Sequence, residues 1–326
     1  MTTMLATLLS TLSLYAAAAQ AGGAPDTRLP LARASSGQFL IDVSIAGGGP
    51  WPFMIDTGAS HTTLARPVAE ALGFISTREH LHPVQTLTAE TLEERLEIAA
   101  MRFGPARADG INAVVADVIG GEIQGLIGLD ALAGERVRLD FPAGEIVFDV
   151  AALDSAHGRI HPVHGVAVME ARVHGIREPV MVLVDTGSGF TMINSALARR
   201  LVREPVTRMR VSGITRSAPS ADVDERARLE RLRIGGVCVR SMRAVQADVD
   251  IFRALGWRDR PAMVLGLDLL QHTIVTVEGD ARTIRIDPGT AALSCPEDYS
   301  PRRRPRRLLE DTPQTGYHPG LPRPGR

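Results

Sequence analysis

Two aspartates stand in matching surroundings 129 residues apart. Asp56 lies in Phe53-Met-Ile-Asp-Thr-Gly-Ala-Ser-His-Thr-Thr-Leu64, and Asp185 in Val182-Leu-Val-Asp-Thr-Gly-Ser-Gly-Phe-Thr-Met-Ile193. Each segment reads as an apolar run, Asp-Thr-Gly, three variable residues, Thr, one residue and an aliphatic. A single carboxylate at a strand end is an ordinary solvated turn residue. Two in a repeated context imply a duplicated chain whose halves could pack about a pseudo-two-fold axis and bring the pair together. Carboxylates at contact distance cannot both ionise cheaply, so the pair holds one proton between them. The ionised member can then take a proton from water. The protonated member can polarise a carbonyl and later protonate a leaving nitrogen. That chemistry suits amide hydrolysis without a metal or a covalent intermediate.

The neighbours fit this reading. Gly58 and Gly187 let backbone approach a carboxylate and aim N–H groups at it. The short hydroxyls of Thr57 and Thr186 could hydrogen-bond across the axis and lock the two loops together. Thr62 and Thr191 either satisfy nearby backbone groups or are ordinary strand and turn threonines. Ser60 and Ser188 have no His or Lys at a triad spacing, which speaks against a serine hydrolase.

A second pair of segments repeats in the same order: Gly125-Leu-Ile-Gly-Leu-Asp-Ala-Leu132 and Met263-Val-Leu-Gly-Leu-Asp-Leu-Leu270, with Gly128 and Gly266 138 residues apart. Loop length absorbs the nine-residue difference between the two offsets. Asp130 and Asp268 read as N-caps of short helices.

The elements that must present these residues are strands. Phe39–Ala46 alternates, the glycines at 47–49 turn the chain, and Trp51–Ile55 leads into Asp56. In the second half Val166–Val173, a turn at Gly175–Glu178 and Val180–Val184 lead into Asp185. Strand pairs at Arg136–Phe141 with Glu145–Val150, and at His272–Val277 with Thr283–Asp287, close the halves. Short helices are expected at Arg66–Leu72 and Ser195–Val202.

These motifs resemble the retropepsin and pepsin superfamily of aspartic proteases. The resemblance covers about Gln38 to Pro288 and rests on Asp56-Thr57-Gly58-Ala59, Asp185-Thr186-Gly187-Ser188, and two hydrophobic-hydrophobic-Gly elements, Leu126-Ile127-Gly128 and Val264-Leu265-Gly266. It implies an all-β fold of two homologous retropepsin-like barrel domains fused in tandem, Asp56 and Asp185 as the catalytic dyad, and no cofactor. It also implies that the second element crosses behind each Asp loop and supports it. Flap hairpins are implied at Val84–Ile98 and Met209–Leu229, with Thr86, Leu87 and Thr88 and Ser212, Gly213 and Ile214 touching substrate. The tips fall at Leu87–Thr91 and Ser212–Thr215, the second flap being the better formed. Neither segment carries the Tyr of pepsin flaps, and the halves are shorter than pepsin lobes.

Composition agrees with a packed, exported enzyme. Hydrophobic residues make up 44% and charged residues 22%, and the net charge of -1 lacks the basic excess of a nucleic-acid binder. Residues 1–21 carry no charged side chain and end in Ala19-Gln20-Ala21, the pattern of a secretory signal peptide, so a periplasmic or secreted location is expected. No later stretch is long and apolar enough to span a membrane. The expected layout is a linker or short propeptide at 22–36, a first domain at 37–152, a linker at 153–164, a second domain at 165–290 and a Pro/Arg-rich disordered tail at 291–326. His157, His161 and His164 fall on the 153–164 linker and read as solvated, with no metal site. Cys238 and Cys295 either form one disulfide or are two unrelated small residues. The expected substrate is a peptide or protein, cut by a monomer. Two rivals stand beside this: a homodimer pairing equivalent aspartates between chains, and a peptide-binding protein that kept the fold and lost turnover.

Overall fold

The computed structural model describes residues 27–77, 79, 81–117, 121–211 and 219–296. The expected signal peptide at 1–21, the tail from 297 onward, and Ser212, Gly213 and Ile214 lie outside the described residues.

The fold is all-β, with two six-stranded barrels. In the first, Phe39–Ile45, Gly48–Ile55, Gly125–Ile127, Thr63–Ala65, Ala106–Ala116 and Arg95–Phe103 pair in that order, and the last returns to the first. The second repeats the arrangement with Ala167–Arg172, Val180–Val184, Ala262–Leu265, Met192–Ile193, Val237–Gln246 and Ala221–Ile234. Alternation puts Val43, Ile45, Phe53 and Ile55 inside one barrel and Ala167, Met169, Val182 and Val184 inside the other. The opening turn is tighter than expected from the three glycines. Ala46 and Gly47 both have positive φ, Ile45 faces Gly48, and the remaining glycines already belong to the next strand.

A ribbon of strands joins the halves. Thr27–Pro30 pairs with Glu145–Phe148, which pairs with Arg136–Asp140. That strand runs antiparallel to Thr273–Glu278 of the second half, with Leu139 opposite Val275. The core is continuous through it: Val137 and Leu139 share one buried cluster with Val275, Val277 and Ile284.

Three segments expected as connections carry structure. Within the 22–36 segment Thr27–Pro30 and Ala32–Arg33 are strands, and Leu31 between them is buried in the core. Within 153–164, Gly158–Ile160 is a strand between Thr283–Pro288 and Ala167–Arg172. The first tail residues are tied down: Cys295 is disulfide-bonded to Cys238, and Ser294 bridges to Val237. A pattern of two to four residues is too short to announce such strands.

Candidate active site

Asp56 and Asp185 each end a strand. Each Asp N–H donates to the supporting element of its own half, Asp56 to Ile127 O and Asp185 to Leu265 O, both at 3.0 Å. That element lies parallel to the Asp strand, with Ile127 beside Ile55 and Leu265 beside Val184. The glycine ending it has a steric reason. A Cβ on Gly128 would stand 2.7 Å from Thr62 N, and one on Gly266 would stand 2.8 Å from Phe190 N.

The two carboxyl groups meet. They stand in hydrogen-bonding contact with each other, and each aspartate is only 8% exposed. Gly58 N donates to Asp56 Oδ1 at 2.8 Å, and Gly187 N to Asp185 Oδ1 at 3.0 Å. Each glycine also faces the opposite carboxyl. A Cβ at Gly58 would lie 2.6 Å from Asp185 Cγ, and one at Gly187 would lie 2.6 Å from Asp56 Cγ. Burial raises the pKa of Asp56. Burial and then the charge of Asp56 raise that of Asp185 well above the usual carboxylate range.

Thr57 and Thr186 interlock the loops. Thr57 Oγ1 donates to Val184 O and Thr186 Oγ1 to Ile55 O, both at 2.6 Å. Each hydroxyl also accepts from the other threonine's N–H, at 3.1 and 3.3 Å. The dyad's spacing is therefore set by four hydrogen bonds between halves, all buried.

Asp130 and Asp268 do not cap helices. Residues 129–134 form turns, and the helix Leu267–Leu270 starts from Gly266 without a side-chain cap. Instead, Thr62 Oγ1 donates to Asp130 at 2.8 Å, and Thr191 Oγ1 to Asp268 at 2.7 Å. The same hydroxyls accept from Gly128 N and Gly266 N, both at 3.2 Å. Thr62 and Thr191 thus tie each Asp loop to the strand behind it. Burial pushes the Asp268 carboxyl up to about 6, against the pull of Thr191. Asp268 then keeps its proton after the unfolded chain has lost its own, so its share of stability is lost as pH rises from about 4 to 6. Asp268→Asn, which keeps an acceptor for Thr191, is expected to lose about 1–2 kcal/mol less than the wild type between pH 4 and pH 7 in urea unfolding.

Ser60 Oγ lies 2.8 Å from His61 Nδ1. Among the described residues no carboxylate hydrogen-bonds to that imidazole. His157 is held by Ile286 O at 3.0 Å, and the rings of His161 and His164 stand 5.0 Å apart. Among the described residues no cluster of three His, Cys, Asp or Glu side chains could hold a metal ion.

The segment expected as the first flap is a separate hairpin of His82–Gln85 and Glu90–Glu93, shorter than expected. Its tip is Thr86–Ala89, so Thr91 belongs to the strand. Thr86 closes the tip by donating to Ala89 O at 2.7 Å and accepting from Ala89 N at 3.2 Å. The strands expected to carry the second flap, Val202–Val211 and Ala221–Ile234, pair antiparallel, with Val211 beside Ala221.

An aspartyl protease family profile matches residues 41–131 and again 169–269, once in each half. The chain belongs to the aspartyl protease family. The two matched stretches carry the two Asp-Thr-Gly motifs and their supporting elements, so the family unit occurs twice within one aspartyl protease chain. Among solved structures, a retropepsin-like aspartic protease from Rickettsia conorii is similar at 25% identity, over 38% of this chain and 90% of that one, with a TM-score of 0.30. Among curated proteins none matches the chain. No helix among the described residues is long and apolar enough to cross a membrane.

Proposed function

We propose that this aspartyl protease is an endopeptidase in which Asp56 and Asp185 of one chain activate a water against the scissile peptide carbonyl. The observation that carries the reading is the contact between two buried carboxyl groups, each also facing a glycine of the other half. One carboxylate takes the water proton, and the shared proton polarises the carbonyl and then moves to the leaving nitrogen. Burial keeps that proton in place at pH values where an exposed aspartate has lost it.

Thr57, Gly58, Thr186 and Gly187 hold the pair. Leu126, Ile127 and Gly128 and Val264, Leu265 and Gly266 back it. Thr86, Leu87 and Thr88 of the first flap, with Ser212, Gly213 and Ile214 of the second, hold an extended peptide by pairing with its backbone. The enzyme works as a monomer. The ribbon across the halves and the threonine interlock favour this over a homodimer, because both join halves of one chain. It is exported to the periplasm or beyond, a reading supported by Ala19-Gln20-Ala21 and the Cys238–Cys295 bond.

The test is digestion of a peptide library across a pH series, with and without a statine-type mimic of the tetrahedral state. Cleavage that falls as the pair ionises, and that the mimic abolishes, is expected. Cleavage indifferent to the mimic rules the dyad out. Tight peptide binding without cleavage at any pH favours the binding-protein rival.

A further inference from the structure

The offsets between repeats locate what the second half has gained. Thr63 lies beside Val114, and Met192 beside Val245, in the same parallel pairing. Gly125 lies beside Phe53, and Met263 beside Val182. The connections between these matched strands are residues 117–124 and 247–261, so seven extra residues fall in the second. They build the helix Ile251–Ala254 and the turns after it.

This segment is fixed in place. Ile251, Phe252 and Trp257 are buried against Leu183, Met192 and Val264. Asn194 Nδ2 holds the turn by donating to Trp257 O at 2.9 Å and Arg260 O at 2.8 Å.

The first half's flap rests on it. Ile251 N donates to Leu87 O at 3.1 Å, and Gln85 Nε2 donates to Asp250 Oδ2 at 3.1 Å. The Leu87 side chain packs on the second half's buried cluster. Arg253, paired with Asp250 at 2.7 and 2.8 Å, feels the charge of Glu90 on the flap's returning strand. The flap's two strands hydrogen-bond into neither barrel sheet. A lone two-stranded hairpin is marginal in water, so docking of this kind decides where its tip lies.

We infer that residues 250–253 are the receiving platform for the first flap, with Gln85 and Asp250 as its positioning pair. The platform sets the height of the flap over the cleft and thereby which extended peptides are retained. The peptide part rests on the protease reading above; the docking part does not.

The test compares amide hydrogen exchange in segment 82–93 of the full chain for the wild type, Gln85→Ala, Gln85→Glu and Asp250→Asn, alongside peptide kinetics. Gln85→Ala is expected to speed exchange at residues 86–90 by about threefold to tenfold. Gln85→Glu, which sets a carboxylate against Asp250, is expected to speed it more. Asp250→Asn keeps an acceptor for Gln85 and is expected to stay near the wild type. KM should rise with the exchange rate while kcat holds within about twofold. If no variant, nor the wild type, cleaves any peptide, the exchange data still decide the docking, and the protease reading alone falls. Flap exchange in Gln85→Glu equal to that of the wild type overturns the inference. So does an equal rise throughout the chain, which would make Gln85 a general packing residue.

Discussion

Asp56→Asn and Asp185→Asn are each expected to lower peptide cleavage about a thousandfold or more, while making the chain more stable. The catalytic loss follows from the shared proton. With one member amidated, no carboxylate and carboxylic acid face each other, and neither remaining group can both take and return a proton. The two losses should be alike, because the proton belongs to the pair. A homodimer pairing equivalent aspartates would behave differently: each variant would keep one intact site and about half the activity.

The stability gain follows from burial. Both carboxyl pKa values are raised, by desolvation first and, for Asp185, by the neighbouring charge next. A carboxyl with a raised folded pKa keeps its proton after the unfolded chain has released its own. Stability therefore falls as pH climbs from the ordinary aspartate range through the raised one. Asparagine removes that slope, so the gain in melting temperature should be larger at pH 7 than at pH 4. A gain of about 1 kcal/mol or more at neutral pH is the scale seen when a functional site is relieved of such strain. Calorimetry at the two pH values checks the sign.

The second large effect is expected at the interlock. Thr57→Ala leaves Val184 O without its donor and Thr186 N without its acceptor, both buried. Each such orphan costs about 1–3 kcal/mol. A loss of about 2–4 kcal/mol in urea unfolding is expected, with activity falling further because dyad spacing depends on the same bonds. Thr186→Ala removes the mirror pair and should match it. The serine variants keep the hydroxyl and should recover most of both quantities. An alanine variant with wild-type stability would mean that the hydroxyls do not join the halves.

Much of this arrangement was legible from the repeat alone. If two like segments meet at an axis, equivalent short hydroxyls must meet there too, and Thr57 and Thr186 do so. The barrel strands were legible because alternation is a local pattern. The roles of Asp130 and Asp268 were not. An aspartate just after Gly-Leu at the start of a short apolar run looks like a cap, and its actual partner is a threonine 68 or 77 residues earlier in the chain. A clue was present all the same, since each half carries both Thr and Asp at matching positions. The platform under the first flap was hidden for a related reason. The offset difference showed that residues had been inserted, but not that they fold into a helix facing the other half. The strand at Thr27–Pro30 is four residues long and finds its partner more than a hundred residues away.

The most direct measurement is a carbon-13 titration of the aspartate carboxyls in the full chain, with Asp56 and Asp185 assigned by their disappearance in the two asparagine variants. Two coupled curves are expected, one carboxyl ionising while the other stays protonated far above the ordinary range, and each variant should collapse the remaining curve to a single step. Two independent titrations near the value of an exposed aspartate, each unaffected by loss of the other, would contradict a shared proton.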